Sequence, residues 1–484
     1  MSRVNRRTFL KQSAAFAGAA FVISAAGHRV LGAGERVRIG VSGCGGRGGN
    51  HLGEYLGMKD VEVAWVIDPD RKRLGGAANT VEKKSGAKPK AAQDIRKALE
   101  DKDLDGVSIA TTNVWHTLQT IWAVQAGKDV YVEKPATHNV FEGRIAADLI
   151  AKSDRIVQTG TQNRSSGGWA RIVEITKSGK LGKLLVSHGF ASKGRGSIGF
   201  KPVTDPPPEL DFDLWLGPAP KQPYHANLVH YNWHWFWDFG NGEIGNQGVH
   251  QTDVARWAIP GATHPASVFS IGGRFGYKDQ GQTPNTQLTV YTYGDTMVVF
   301  EVCGLVGGKK EEGKDESKTA RVSNDFVFEA GTIVNNNKFY PKGSDQPAEM
   351  PKVDVKLGPG GGPFGNFVAA MRSRKKSDLN APFLEGHYSA ALCHLGNISW
   401  RLGKDVEWSK TSKPFGANDY ANAQWARLEE HLVKNRGLKL EEMPCRLGRA
   451  LKFDPVKEKF IDDPEADKLL TREPRKPFDV PEKA

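Results

Sequence analysis

The chain has 484 residues, of which 39 % are apolar and 25 % are charged. This composition excludes disorder as the main state, and the length exceeds that of one ordinary domain of about 150 residues. Lysine and arginine together number 67 against 55 aspartate and glutamate residues, which gives a net charge of +12. The basic residues are scattered and form no stripe, so we expect no nucleic-acid partner. The four cysteines lie too far apart in sequence for a close metal or redox pair.

Residues 1–33 have the pattern of an export signal. Arg6 and Arg7 precede Thr-Phe-Leu-Lys, and an uncharged, alanine-rich stretch over 12–27 follows that is too short to span a bilayer. The paired arginines resemble a Tat signal. We therefore predict export to the periplasm through the Tat machinery, with membrane association if the signal is not cleaved. An ordinary Sec signal or a membrane anchor is the alternative.

A glycine-rich loop follows the first strand-like run, Val37–Ser42. The loop reads GCGGRG over 43–48, precedes a helix-like stretch, and is followed by an acid, Asp68, twenty residues after its last glycine. Such a loop between a strand and a helix is typical of a dinucleotide site. Gly43 allows the tight turn, Gly45 lets backbone N–H groups approach a pyrophosphate, and Gly48 lets helix and strand pack closely. A glycine-rich turn in another α/β protein is the alternative.

The residues around the acid indicate which dinucleotide binds. The carboxylate of Asp68 can accept hydrogen bonds from both ribose hydroxyls and would repel a 2′-phosphate, so we predict NAD rather than NADP. Three following cations, Arg71, Lys72 and Arg73, weaken this preference because a nearby cation accommodates that phosphate.

Strand-like and helix-like segments alternate from residue 36 to residue 160, which predicts a doubly wound parallel sheet, an α/β Rossmann domain. Ligands of such sheets lie at the carboxyl ends of the strands. The glycine loop and the strand ends together give the predicted cofactor-binding residues, which are Gly43, Gly45, Gly46, Arg47, Gly48, Asp68, Thr111, Asn113, His116, Glu133 and Lys134.

A tripeptide at one strand end carries a family resemblance. Glu133-Lys134-Pro135 follows the run GKDVYV, and Thr111–His116 lies upstream. With the glycine loop, these motifs resemble the glucose–fructose oxidoreductase / inositol dehydrogenase / MocA (Gfo/Idh/MocA) family, over roughly 37–403. The resemblance implies that Lys134 is a catalytic acid/base or substrate-orienting residue beside the nicotinamide. A cation at this position would also stabilise the negative charge that develops on the substrate oxygen as the hydride leaves. An exposed lysine at a strand end is the alternative.

Beyond residue 160 the pattern changes. Apolar or alternating runs predict a substrate-binding α+β domain over 161–405 with a largely antiparallel sheet. Residues 406–484 are predicted to be a C-terminal extension that lies over a neighbour or a partner subunit. By analogy, an exposed sheet in the second domain suggests a homo-oligomer.

One segment of the second domain carries the candidate proton acceptor. Residues 245–250 resemble the family's Asp-x-x-x-His signature, with His250 as the histidine and Asn246 in the place of the aspartate. We predict that His250 accepts the proton of the substrate hydroxyl, because imidazole titrates near neutrality. An inert core histidine is the alternative. Asn246 can orient a hydroxyl but cannot relay a proton, which weakens the case for plain dehydrogenation.

Aromatic residues alternate with mostly polar ones just before this segment. Tyr231, Trp233, Trp235 and Trp237 would share one face of an extended chain and form a platform for sugar rings, or else part of the core. Four nearby histidines offer a metal alternative, namely His225, His230, His234 and His250. We predict no metal, because the alternation indicates an extended segment and the family is metal-independent. The predicted substrate-binding residues are Lys134, Gln162, Arg164, Trp233, Trp235, Asn246, His250 and Asp253.

Three functions fit these observations. The first is an NAD-dependent oxidoreductase that acts on a secondary hydroxyl of a sugar, glycoside or cyclitol, with a tightly held cofactor recycled within the catalytic cycle. The second is a redox-neutral, NAD-dependent glycosidase or lyase that forms a transient keto-sugar, with Glu243 or a tyrosine as an additional acid/base. The third is an exported protein that binds a nucleotide or sugar without turnover.

Overall fold

The computed structural model describes residues 35–306, 321–473 and 475–481. The predicted export signal and the charged run over 309–318 lie outside these residues. Within them, no helix combines the length and the apolar character needed to cross a bilayer.

The first domain is built on a six-stranded parallel sheet with the order β3–β2–β1–β4–β5–β6. Its strands are β1 (Val37–Ser42), β2 (Val61–Ile67), β3 (Lys90–Ala92), β4 (Gly106–Ile109), β5 (Asp129–Val132) and β6 (Val157–Thr159). The helices between them are α1 (Gly46–Leu56), α2 (Arg71–Ser85), α3 (Ile95–Leu99), α4 (Asn113–Gln125) and α5 (Val140–Lys152). The predicted Rossmann architecture is confirmed.

Local sequence signals set the ends of these helices. Asp70 caps α2 because its carboxylate accepts hydrogen bonds from the backbone N–H groups of Lys72 and Arg73. The helix ends at Gly86, whose φ of 74° lies in the left-handed region that favours glycine. In the same way, the Asn139 side chain accepts from the backbone N–H of Glu142 at the start of α5.

The second domain contains a larger mixed sheet. It opens with α6 (Gly167–Ser178), β7 (Leu184–Ser192), α7 (Phe212–Leu216), α8 (Gly242–Asn246) and α9 (Gly248–Trp257). Strands β8 (Ser267–Gly273), β9 (Thr286–Tyr293), β10 (Thr296–Cys303), β11 (Val322–Phe328), β12 (Gly331–Val334) and β13 (Lys338–Pro341) follow. The sheet has the order β13–β12–β11–β7–β10–β9–β8, and every neighbouring pair is antiparallel except β7 with β10. The prediction of a largely antiparallel sheet is therefore confirmed.

The remaining elements complete both domains. They are α10 (Gly362–Ser373), α11 (Phe383–Arg401), β14 (Lys404–Val406), α12 (Asp419–Glu430), β15 (Cys445–Leu447), β16 (Leu451–Asp454), β17 (Lys459–Phe460) and α13 (Pro464–Lys468). Short 3₁₀ turns at 162–165, 232–235, 376–378, 408–411 and 440–442 and a π turn at 431–435 join them.

Helices cover both faces of the second sheet. On β10, Val298 and Phe300 face the core formed with α9 and α11, and Val299 faces the core on the other side with Trp425 and Leu428 of α12. This period of two follows from the pleat of the strand. Because both faces are buried, the strand reads as a continuous apolar run in the sequence.

The division into domains is not sequential. Helix α10 lies within the range predicted for the second domain, yet Phe364 and Phe367 pack with Tyr131 and Val37 in the core of the first. The C-terminal extension packs on both domains of its own chain. Its strand β15 joins the second sheet beside β8, and the ring of Phe478 lies 5.3 Å from that of Trp115.

Candidate active site

A cleft runs between the two domains at the carboxyl ends of the first sheet. It contains the glycine loop, the end of β2, the end of β5 and one wall from the second domain. The residues along it include Gly43, Gly45, Gly46, Arg47, Asp68, Arg73, Thr111, Thr112, Asn113, Trp115, His116, Glu133, Lys134, Trp215, His230, Tyr231, Trp233, His234 and Asn246. The fold thus brings most predicted cofactor residues and three predicted substrate residues into one cavity.

The glycine loop has the conformation that its sequence predicts. Gly43 has a φ of 84°, and a Cβ on Gly48 would lie 1.7 Å from the Gly43 carbonyl oxygen. A side chain at either position would strain the turn or push α1 away from β1. No side chain caps the start of α1, so its first backbone N–H groups can bind an anion.

The groups around the loop fit a dinucleotide. The Asp68 carboxylate is nearly buried and accepts hydrogen bonds from the backbone N–H groups of Cys44 (2.7 Å) and Asp70 (2.9 Å). The Arg73 guanidinium lies beside Gly45, where a Cβ would approach it to 2.3 Å. The Thr112 hydroxyl is buried and has no hydrogen-bond partner among the residues that the structure describes, which leaves a polar group for a ligand. The residues present therefore fit NAD.

Glu133 anchors the loop to the sheet. Its Oε1 accepts hydrogen bonds from Arg47 Nε (2.8 Å) and Gln162 Nε2 (3.2 Å) and lies 3.1 Å from His51 Nε2. Burial opposes ionisation of this carboxyl, but the hydrogen bond to His51 and the charges of Arg47 and Lys134 hold its pKa well below the usual range. Glu133 is therefore an ionised anchor, and Gln162 contacts that anchor rather than lining the cleft.

Two further residues that were predicted to bind the cofactor, His116 and Asn113, border the cleft. The ring nitrogens of His116 lie 2.7 Å and 3.2 Å from the carbonyl oxygens of Pro135 and Thr111. Asn113 donates from Nδ2 to Oδ1 of Asn241 in the second domain, at 3.2 Å. Both side chains are buried, so they fix the backbone around the strand ends.

Lys134 is half-buried in the cleft. Its Nζ donates a hydrogen bond to the backbone carbonyl of Asn246, 2.7 Å away. Burial lowers the pKa of Lys134, and the carboxylates of Glu133 and Glu243 partly offset this effect. One of three ammonium hydrogens is thus committed, and the other two remain for a substrate oxygen.

His250 lies on α9, close to this ammonium group. Burial, and then the charge of Lys134, lower its pKa to about 3, so the imidazole is neutral at neutral pH. A neutral imidazole accepts a proton, as the predicted role requires. Among the described residues, the second-domain histidines that line the cleft are nevertheless His230 and His234, not His250.

The cleft wall from the second domain rests on a buried ion pair. Arg195 binds Glu243 through two hydrogen bonds of 2.8 Å and 3.0 Å, and Glu243 is 1 % exposed. Asn246 Nδ2 donates to Glu243 at 3.2 Å and to the Tyr231 hydroxyl at 3.5 Å. The expectation that Glu243 serves as an additional acid/base is wrong, because its oxygens are committed and it is shielded from the cleft.

Two predicted substrate residues bind each other in the interior. Arg164 and Asp253 are 3 % and 0 % exposed in their side chains and are joined by hydrogen bonds of 2.9 Å and 3.0 Å. Glu385 accepts a further bond from Arg164, at 3.1 Å. The interpretation of Arg164 and Asp253 as substrate ligands is corrected by this geometry. The pair and Glu385 join the 3₁₀ turn at 162–165 to α9 and α11, away from the cleft lining.

The aromatic segment is not extended, contrary to the sequence prediction. A 3₁₀ turn spans Asn232–Trp235, and both Trp233 and Trp235 are buried. Trp233 borders the cleft, whereas Trp235 lies under the Arg195 guanidinium, 5.5 Å from it. The alternation of aromatic and polar residues therefore reflects packing around this turn and not a strand. Of the residues predicted to form a sugar platform, Trp233 and the exposed Tyr231 are those that line the cleft.

Two of the four histidines in the metal alternative have separate partners. His230 Nε2 lies 3.2 Å from Asp70, and His234 Nδ1 lies 2.6 Å from the Tyr231 carbonyl oxygen. Within the ranges that the structure describes, the close ligand-type trio is instead His264, His387 and Glu458. Its carboxylate is already paired with the Arg144 guanidinium.

The sequence pattern did not point to Arg195, and it gave Tyr231 and His234 no catalytic role. Arg195 had no recognisable spacing to the other site residues. Tyr231 and His234 were read as parts of a strand, and only the turn places both in the cleft.

Comparison with known proteins places this geometry in a family. Residues 37–161 match the model "Oxidoreductase family, NAD-binding Rossmann fold", and residues 171–435 match "Oxidoreductase family, C-terminal alpha/beta domain" of the same Gfo/Idh/MocA group. The second match alone covers more than half of the chain. The predicted NAD-binding domain is confirmed by the first.

Individual relatives agree with this assignment. The chain is 30 % identical over 157 residues to a scyllo-inositol 2-dehydrogenase (NAD(+)) of Bacillus subtilis, across 32 % of this chain and 44 % of that protein. It is 28 % identical over 207 residues to a glycosyl hydrolase family 109 protein of Saccharopolyspora erythraea, across 38 % and 45 %. The matched regions thus span less than half the length of these curated relatives.

Solved structures show the same fold. The WlbA dehydrogenase of Bordetella pertussis, in complex with NADH and UDP-GlcNAcA, aligns with a TM-score of 0.55 and 18 % identity over 76 % of this chain and 97 % of that one. Levoglucosan dehydrogenase, in complex with NADH and L-sorbose, aligns with a TM-score of 0.53 and 14 % identity over 75 % and 96 %. From the glycine loop, the two-domain cleft and both family matches, we conclude that this chain belongs to the Gfo/Idh/MocA oxidoreductase family.

Proposed function

We propose that the protein oxidises a secondary hydroxyl of a sugar, glycoside or cyclitol with NAD as the hydride acceptor. The observation that carries this proposal is the position of Lys134. Its ammonium group lies in the cleft that holds the glycine loop and is held there by the carbonyl of Asn246 from the other domain, at 2.7 Å. A cation at this point binds the reacting hydroxyl and stabilises the negative charge that develops on its oxygen.

Different side chains of the cleft serve different steps of the reaction. When bound, the nicotinamide supplies the acceptor for the hydride. Lys134 orients the hydroxyl through its two free hydrogens, and the neutral imidazole of His250 accepts the proton, directly or through Lys134. Trp233 and Tyr231 offer ring faces and a phenol hydroxyl to a polyol at the same end of the cleft.

Export with bound cofactor forms part of the proposal. A protein carried folded through the Tat machinery into the periplasm meets little free NAD there. We infer that NAD is held tightly, with slow release, and that its hydride is returned within each cycle.

The redox-neutral glycosidase or lyase is the second candidate. It is supported by Asn246, whose amide replaces a proton-relaying carboxylate, and by the imidazole of His234, which borders the cleft. Binding without turnover is the third candidate. It is disfavoured because Lys134 and His250 are both present and lie near each other.

A substrate panel with and without NAD separates the three. Purified protein is mixed with glycosides and cyclitols while reduced nicotinamide and sugar products are both measured. Net NADH indicates plain oxidation, and NAD-dependent turnover without net NADH indicates the redox-neutral reaction. Binding of NAD and sugar without product would leave only the third function, and failure to bind NAD would contradict the proposal.

A further inference from the structure

One segment of the second domain crosses to the first domain beside the cleft. This segment, residues 209–217, contains α7 and is called the strap below. The backbone N–H of Asp211 donates to the carbonyl oxygen of Pro69 at 3.0 Å, and Asp70 and Leu210 form an antiparallel bridge. The strap is therefore hydrogen-bonded to the first domain where β2 ends and α2 begins.

The strap closes part of the cleft. Leu214 and Trp215 line the cavity together with Asp68 of the first domain. His230 reaches the same region from the second domain, with its Nε2 3.2 Å from the carboxylate of Asp70. Asp68 is the predicted ligand of the ribose hydroxyls, so a dinucleotide held there would lie in the part of the cavity that the strap closes.

Trp115 of the first domain also binds the strap. Its indole Nε1 donates to the backbone carbonyl oxygens of Leu214 at 3.2 Å and Trp215 at 3.3 Å. The fit is close, because a Cβ on Gly217 would lie 2.2 Å from the indole ring. Trp115 is buried and borders the cleft as well. The position of the strap is therefore tied to that of Trp115.

The C-terminal tail contacts both the strap and Trp115. The Arg475 guanidinium donates to the backbone carbonyl oxygens of Gly217 and Asp213 and pairs with the Asp213 carboxylate. The ring of Phe478 packs edge-on against that of Trp115, with centroids 5.3 Å apart and planes 72° apart. Phe478 is buried, and the Arg475 side chain is only 10 % exposed, so both contacts are shielded from solvent.

The tail does not line the cleft itself. The residues along the cavity end at Asn246, so Arg475 and Phe478 act on it only through the strap and Trp115. The tail also lies beyond residue 435, where the region that matches the family ends. It is thus an addition of this chain to the two-domain fold.

We infer that residues 475–478 form a latch that holds the strap in place and slows the release of NAD. This inference rests on the proposed function, which places NAD in the cleft. NAD can leave past the strap only when the strap moves, and the contacts of Arg475 and Phe478 oppose that movement. Both are positioning residues, since they act through the strap and Trp115.

The latch and the cofactor must stabilise each other. A docked tail favours the closed strap, and bound NAD favours the same state. Because coupling between two binding events is reciprocal, bound NAD also favours the docked tail. The inference can therefore be tested from either side.

The first test measures release of the cofactor. Full-length protein loaded with NADH is mixed with excess NAD, and the loss of fluorescence from the bound reduced nicotinamide gives the release rate. We expect Arg475→Met to speed release about 10- to 100-fold, because it removes an ion pair and hydrogen bonds to the strap. Phe478→Ala removes the ring beside Trp115 and should also speed release.

Arg449→Met is the matched control. Arg449 also binds two carboxylates of the C-terminal extension, those of Asp463 at 3.1 Å and Glu465 at 2.8 Å. Its ion pairs within the described part of the chain do not involve the strap, so the release rate should stay within about twofold of the original. Thermal unfolding of all three variants shows whether a faster release goes with a general loss of stability.

The second test needs no variant. Hydrogen exchange of the unmodified protein is measured with and without saturating NADH, in peptides that cover the tail. We expect exchange in the tail to slow by about 3- to 10-fold when NADH is bound. Peptides of the hairpin β12–β13, at the far edge of the second sheet, should exchange at the same rate in both samples.

The outcomes separate the latch from the proposed function. Release that is equally fast in the original protein, Arg475→Met and Phe478→Ala overturns the latch, and so does exchange in the tail that ignores NADH. The exchange test decides where a variant does not fold. In each of these cases NADH is still bound, and the proposed function stands. Protein that binds no NADH overturns the proposed function, and the latch with it.

Discussion

The ammonium of Lys134 and the backbone carbonyl of Asn246 meet across the interdomain cleft, 2.7 Å apart. Lys134 follows the end of β5 in the first domain, and Asn246 is the last residue of α8 in the second. The contact makes the position of the reacting cation depend on both domains. Asn246 also makes two kinds of contact. Its side-chain amide donates hydrogen bonds to Glu243 and to the Tyr231 hydroxyl, and its backbone carbonyl accepts one from Lys134.

Loss of the Lys134 ammonium should remove catalysis without removing the cofactor site. We expect Lys134→Met to lower kcat by about 10²- to 10⁴-fold, because the group that stabilises the developing oxyanion is gone. NAD affinity, measured by fluorescence titration, should change much less. Lys84→Met, on the last turn of α2, is the matched control and should retain full activity. Equal kcat in both variants would exclude Lys134 from the chemistry.

The pH dependence should reflect the shifted groups. The proposed mechanism requires a charged Lys134, and burial lowers the pKa of its ammonium group. Activity should therefore begin to fall, as the pH rises, before the ordinary lysine pKa of about 10.4 is reached. The base must be neutral, and the pKa of His250 is lowered to about 3. Activity should therefore persist below pH 6, where an ordinary histidine is protonated. A kcat/KM profile with an acid midpoint near 6.5 would contradict this assignment.

The glycine loop offers a test of the cofactor site. In Gly48→Ala, the new Cβ would lie 1.7 Å from the Gly43 carbonyl oxygen, so the loop must move away from α1. We expect weaker NAD binding and a loss of about 1–3 kcal/mol in the free energy of unfolding. Gly49→Ala, one residue further along the helix, meets no atom within 4 Å and should preserve both properties. Calorimetric titration and denaturant unfolding measure the two effects. Unchanged NAD affinity in Gly48→Ala would count against the loop as the phosphate site.

The buried pair below the cleft should affect stability rather than substrate recognition. Arg164→Met leaves the carboxylate of Asp253 buried with the partner removed, which we expect to cost about 3–5 kcal/mol of unfolding free energy. Arg171→Met, at an exposed position of α6, serves as the control. In protein that remains folded, KM should stay within a few-fold of the original value. A large rise in KM with unchanged stability would restore Arg164 as a substrate ligand.

Much of the first domain could be predicted from sequence because its signals are local. The glycine loop, the buried strands and the acid after β2 lie in one continuous stretch. Helix α10 could not be assigned to this domain, because its contact with Tyr131 joins residues more than 200 positions apart. Sequence periodicity gives the buried face of a helix but not the sheet that covers it.

The site was predicted less completely than the fold. Lys134 could be placed at the cleft because it follows a strand whose end must face it, and its role was implied by the family resemblance of Glu133-Lys134-Pro135. Arg164 also follows a strand, but a buried carboxylate from α9 turns it inward, and nothing in its spacing indicates that partner. His234 reaches the cleft only because residues 232–235 form a 3₁₀ turn where the alternation of aromatic residues favoured a strand.

The most direct test of the central claim is analysis of the cofactor carried by the protein itself. The protein is purified from cells that express the full chain, dialysed extensively and denatured, and its released small molecules are identified by mass spectrometry. Before denaturation, a portion is mixed with a glycoside panel, and the redox state of the bound nicotinamide is followed by absorbance in the original protein and in Lys134→Met. The account predicts close to one NAD or NADH per chain, reduced by substrate only when Lys134 is present. Protein that holds no nicotinamide and binds none when NAD is added would contradict it.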